Sequence, residues 1–114
     1  MATETSNFTA SHRFARIAPR KARLVADMIR GKGIEDALAA LEFSPRRGAW
    51  FIKSVLRSAI ANAEERNADV GRLFVSESRV DEGPTIKRFQ PKDRGRSHPI
   101  MKRTSHIHVS VDVR

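Results

Sequence analysis

The residues with the greatest chemical capacity lie between Lys87 and Arg103, KRFQPKDRGRSHPIMKR. Seven of these seventeen are Lys or Arg, against one acid, Asp93, a net +6. Pro91, Pro99 and Gly95 interrupt the run, and its large apolar residues are only Phe89, Ile100 and Met101. So little apolar area cannot bury a core of its own. The chemistry on offer is phosphate binding. Guanidinium groups grip phosphate oxygens in pairs, ammonium groups act as point charges, and Phe89 can stack on a base.

The other candidate clusters are weaker. His106 and His108 stand two apart, which places both on one face of a strand at a spacing able to chelate a metal. The chain has no Cys, and no carboxylate is poised to complete such a site, so a polar strand face is the preferred reading. Asp81 and Glu82 are neighbours, point apart in a strand and make a poor acid/base pair. They are read as ending a strand or pairing with arginines of the basic run. No phosphate-cradling glycine loop and no nucleophile motif occurs. Neither enzyme activity nor a cofactor is expected.

Composition agrees with the basic run. The chain of 114 residues carries 22 Lys plus Arg against 13 Asp plus Glu, a formal +9. Sixteen of the cations are Arg. A domain this basic is matched to a polyanion, and nucleic acid is the commonest one. A length of 114 residues suits one domain. The absence of Cys suits a reducing compartment. No run approaches a membrane span, and MATETSNF lacks the pattern of a secretory signal.

The elements that must position the basic run read as helices followed by strands. Phe8–Ile17 is ambiguous and is assigned to a strand, with Phe8, Ala10 and Phe14 on the face that also carries His12 and Arg16. Pro19 opens a helix whose stripe is Ala22, Val25 and Ile29, with Leu24 and Met28 beside it and Gly31 as its stop. Arg20, Lys21 and Arg23 crowd its first turn, where the helix dipole disfavours cations by about 0.3–1 kcal/mol each. Phosphate binding would more than offset that. Ile34 to about Leu41 forms a short helix. A long helix is expected from a Ser44 cap and Pro45, with Ala49, Ile52, Val55, Leu56, Ala59, Ile60 and Ala63 as one apolar face. Lys53 and Arg57 share its exposed side. Leu73–Val80 reads as a strand despite Glu77 and Arg79. At the end, Ile107, Val109, Val111 and Val113 alternate strictly with polar residues, the pattern of a half-buried strand. The predicted fold is α+β: three helices on a small antiparallel sheet.

Between the two strands lie about 26 residues, 81–106. A structureless loop of that length is unusual in a compact domain, and a projecting hairpin resolves it. Its turn would lie near Asp93–Arg96. Arms of about thirteen residues at roughly 3.3 Å each reach about 40 Å, against a radius of gyration near 13 Å for a compact chain of this length. A lone, self-repelling ribbon is marginal in water, so it is expected to order within a surrounding polyanion.

At this point the chain resembles a known family. VDEGPTIKRFQPKDRGRSHPIMKRTSHIHV, Val80–Val109, looks like the signature of the bacterial large-subunit ribosomal protein twenty-two family, with DEGP, KR, P…GR and KRTSHI in order. KARLVADMIRGK, Lys21–Lys32, and SAIANAE, Ser58–Glu64, resemble its first and long helices. The resemblance runs from about residue 12 to the end. It divides the chain into a flexible N-terminal segment, 1–10, and one domain, 11–114, that includes a hairpin arm at about 81–106.

The resemblance implies a structural constituent of the large subunit that binds 23S-type ribosomal RNA and joins early in assembly. It implies a hairpin that lines the nascent-polypeptide exit tunnel. Implied partners are ribosomal RNA, neighbouring ribosomal proteins and the nascent chain, without membrane attachment or homo-oligomer. A cytoplasmic ribosome is the implied location, and a chloroplast one is also compatible. Carried over to this chain, RNA contacts fall on Lys87, Arg88, Phe89, Lys92, Arg94, Arg96, Lys102 and Arg103 of the arm. Thr104, Ser105 and His106 would contribute at its base. From their charge and position rather than from the resemblance, Arg16, Arg20, Lys21, Arg23 and Lys53 are the expected contacts on the body. The tunnel-lining tip would be Lys92, Asp93, Arg94, Gly95 and Arg96. The tip departs from the family pattern in Lys92, where members often have arginine, and in Asp93 and Ser97, where they often have a small residue. The alternative reading is a free basic RNA- or DNA-binding regulator. It would call for a compact recognition element such as a helix-turn-helix, which a long arm does not supply.

Overall fold

The computed structural model describes residues 8–92 and 96–113, and over 86–101 it describes the backbone alone. The order is β1 (Phe8–Ala15), α1 (Pro19–Ile29), α2 (Ile34–Phe43), α3 (Arg47–Glu65), a 3-10 turn (Val70–Arg72), β2 (Leu73–Glu82), β3 (Ile86–Lys92), β4 (Arg96–Lys102) and β5 (Ser105–Val113). Among the described residues the body is an antiparallel sheet ordered β1-β5-β2 with the helices on one face, and β3 and β4 form a separate two-stranded ribbon. The α+β expectation holds.

The core lies between β5 and the helices. Ile107, Val109 and Val111 are wholly buried and meet Ile52, Leu56, Ala59 and Ala63 of α3 and Ala22, Val25 and Ile29 of α1. A buried Ile or Leu here contributes about 1.5–3 kcal/mol. The alanines matter for a second reason: small side chains let helix backbones come close. Gly48 takes this furthest, since a Cβ there would lie 3.2 Å from both Ile17 Cδ1 and Val25 Cγ2. The start of α3 is thereby seated against α1.

Two bulges correct the strand reading. In β2, Val75 pairs with Val111 and Glu77 with Ser110, so Ser76 is an extra residue. Leu73 and Val75 face the core before it, Ser78 and Val80 after it. The shift of phase turns Glu77 and Arg79 outward, where strict alternation would have buried them. In β1 the register shifts between His12 and Ala15, and Phe14 adopts φ 59°. Ala15 is buried in consequence and Phe14 is 58% exposed, contrary to its expected place on the inner face. Phe8, Thr9 and Ala10 pair with Val111, Ser110 and Val109, so the N-terminal segment read as 1–10 gives its last three residues to the sheet.

The long helix also begins later than expected. Ser44 ends α2, its N–H donating to the Leu41 carbonyl, and extended Arg46 precedes Arg47 as the first helical residue. Gly31, at φ +81°, closes α1 as anticipated. The turn that follows covers the β2 edge: Gly31 N–H donates to Val75 O at 2.9 Å, and Val75 N–H to Lys32 O at 2.8 Å.

The ribbon pairs from Ile86↔Lys102 to Lys92↔Arg96. That register encloses 93–95, which lie outside the described residues together with part of the anticipated turn. Principal-axis extents of 69 × 32 × 19 Å and a radius of gyration of 17.5 Å depart from a compact shape, for which about 13 Å is expected at this length.

Candidate nucleic-acid interface

Where the ribbon leaves the body, an open groove of about 760 Å³ is lined by six cations: Arg16, Lys21, Arg46, Arg47, Lys102 and Arg103. No acid stands among its described lining residues. Four elements build it: the β1–α1 connection, the starts of α1 and α3, and the end of β4. Gly48 forms part of its floor with Ile17 and Ala18. Close seating of α3 on α1 therefore brings two cation-rich helix starts together. Neither first turn contains an acid. The helix dipoles add to the positive potential, so the groove is built for anionic oxygens.

The floor is tied to the arm by hydrogen bonds. Gly83 N–H donates to Thr104 O at 2.9 Å. Thr104 Oγ1 donates to Pro84 O at 2.6 Å, and Ser105 Oγ donates to Ile17 O at 2.6 Å. A Cβ on Gly83 would lie 2.5 Å from Thr104 Oγ1, so only glycine fits. These contacts give Thr104 and Ser105 a structural role at the arm's base. Both residues are buried, with hydroxyls committed inside the protein, although Thr104 still lines the groove. His106 is likewise occupied, with Nδ1 accepting from the Phe14 N–H at 3.1 Å and its ring meeting Phe14 edge-on.

The remaining expected contacts divide. Arg16, Lys21, Lys102 and Arg103 converge on the groove. Arg20 is exposed but does not line it. Arg23 turns to the sheet edge, donating from Nε to Val80 O at 3.2 Å, and Arg30 does the same at Ser78 O, 2.6 Å. These edge carbonyls would otherwise lack partners. Lys53 forms an ion pair with Glu42, whose carboxyl is held below its ordinary pKa first by the hydrogen bond from Lys53 and then by its charge. The side chains of Lys87, Arg88, Phe89, Lys92 and Arg96, and all of Asp93, Arg94 and Gly95, lie outside the described residues.

Arg46 and Arg47 are the contributors that sequence reading missed. Their signal was the one noticed in α1, cations at a helix start where the dipole disfavours them. Asp81 pairs with body residues: Oδ2 lies 3.6 Å from Arg79 Nε and 3.2 Å from His108 Nε2, while the arm side chains over 86–101 lie outside the described residues. His108 Nδ1 sits 2.7 Å from Ser11 Oγ.

Fold and groove together define a class: a basic α+β protein with a two-stranded arm and cations gathered at the arm's root. Within that class the chain belongs to the ribosomal protein L22p/L17e family, whose model matches residues 10–112. It is similar to the large ribosomal subunit protein uL22 of Ligilactobacillus salivarius, 51% identical over 115 residues with all of both chains covered. It is also 53% identical to that of Lacticaseibacillus casei and 54% identical to that of Lactobacillus helveticus, each over 112 residues, covering 97% of this chain and 96% of the relative. Membership of a ribosomal-protein family makes it a structural protein and not an enzyme.

Proposed function

We propose that this chain is a structural constituent of the large ribosomal subunit that anchors ribosomal RNA in the groove at the root of its arm. The observation that carries the reading is the convergence of six cations from four elements with no acid among the described lining residues. The family match and the names of the relatives support the ribosomal setting. On this reading the arm threads between RNA segments, joins during early assembly and brings Lys92–Arg96 to the nascent-chain tunnel. Neighbouring ribosomal proteins and the nascent polypeptide are its protein contacts, and residues 11–114 act as one domain in a cytoplasmic ribosome. Among the described residues no helix is long and apolar enough to cross a membrane.

Anchoring of this kind releases counterions, so affinity for RNA falls steeply with salt. Replacing Lys102 and Arg103 by Ala should lower the slope of log K against log salt by about one to two. In a sucrose gradient with a high-salt wash, the protein should stay with the large subunit. Release of the wild-type chain into the light fractions would instead identify a free or surface-bound nucleic-acid binder.

A further inference from the structure

A second feature lies on the helix that Arg47 opens. Trp50, the chain's one tryptophan, is 68% exposed. It meets Phe51 at 4.9 Å and 80°, a perpendicular contact that leaves much of the indole in water. A shallow cleft of about 440 Å³ runs from it along α3, lined by Trp50, Lys53, Ser54, Arg57, Ser58 and Ala61. Apart from Trp50 and the two cations, its lining is small: Ser54, Ser58 and Ala61. Lys53 is held by Glu42, whose carboxylate also feels the charge of Arg57; Arg57 forms no ion pair among the described residues and is the cation that meets an incoming anion. Seven residues of helix place Arg57 about 10 Å along the axis from Trp50.

We propose that Trp50 and Arg57 form a nucleotide-stacking site, in which an unpaired base lies on the indole and an adjoining phosphate meets Arg57. Three observations select this occupant. The cleft joins a flat aromatic surface to a cation, the pairing used to bind single strands without reading sequence. Arg47 of the basic groove stands three residues before Trp50 on α3, and Arg46 just precedes that helix, so groove and cleft are neighbours along α3. An exposed apolar anchor meant for a protein partner would be expected within a wider apolar patch, whereas the rest of this lining is Lys, Arg, Ser and one Ala. The inference rests on the proposal that RNA is the partner and adds a site outside the groove.

The single tryptophan makes the test direct. The full-length protein is titrated at low salt with a fluorescently labelled ten-residue oligoadenylate. Binding is followed by the anisotropy of the label and stacking by Trp50 emission. Saturable quenching is expected, with affinity reduced roughly tenfold in Trp50→Ala and largely regained in Trp50→Phe. Arg57→Ala should weaken binding while leaving the quench at saturation. Polyphosphate, which has charge but no bases, should not quench. Because Trp50 is exposed, circular dichroism of the variants should match the parent. Oligoadenylate binding without quenching, or equal quenching by polyphosphate, would overturn the stacking site and leave RNA anchoring intact. Absence of any oligoadenylate binding would overturn both.

Discussion

Lys53 shows how far the identity of a residue is from its role. In sequence it is one more exposed cation on α3, and in the fold Glu42 of α2 holds it. The pair carries a pH signature. Glu42 has a depressed pKa in the folded state, so whatever it adds to stability is present above the unfolded pKa and is lost as pH falls through the folded one. In an NMR titration Glu42 should protonate at lower pH than an unpaired glutamate, and Lys53→Met should move it back up. Titration of Glu42 at its ordinary value in the parent protein would mean the pair does not persist in water. Arg23 and Arg30 make the same point, since both donate to β2 carbonyls.

At the scale of elements, the arm's root ties the arm to the body. Gly83, Pro84, Thr104, Ser105 and Ile17 form a joint of three short hydrogen bonds with no room for a Cβ at Gly83. Gly83→Ala pushes Thr104 Oγ1 off its bond to Pro84 and crowds the Thr104 backbone, and should cost about 1–3 kcal/mol. Thr104→Val removes the donor to Pro84 and should cost a similar ~1–3 kcal/mol, whereas Thr104→Ser keeps it and should recover part of the loss. Thermal unfolding measures these costs, and large-subunit incorporation measures misdirection of the arm. Loss of stability in both Gly83→Ala and Thr104→Val with normal incorporation would show that the joint holds the fold and does not aim the arm. The bulges in β1 and β2 work at the same scale. Each adds one residue to an edge strand and reverses which side chains face inward beyond it.

The whole molecule divides its labour between a body with a continuous core and a ribbon paired to itself. Replacing Ile86–Met101 by an Asn-Gly turn should leave the body folded, with a Tm within a few degrees of the parent. The same variant should lose part of the salt dependence of RNA binding. Unfolding of the body in this variant would show that the ribbon supports the core.

Much of this was legible in the chain itself. Apolar spacing marks α1, α2 and α3, strict alternation marks β5, and the density of cations from Lys87 to Arg103 marks the arm and its class of partner. These features are periodic or compositional, and local sequence carries them. Only the tertiary structure decided which cations act together. Arg16, Lys21, Arg46, Arg47, Lys102 and Arg103 are scattered over 88 positions of the sequence and meet because Gly48 lets two helix starts touch beside the arm's root. It also decided that Thr104 and Ser105 are joints, that Lys53 is paired, and that Phe14 faces water. Each depends on a partner distant in sequence or on one inserted strand residue, and neither leaves a periodic trace.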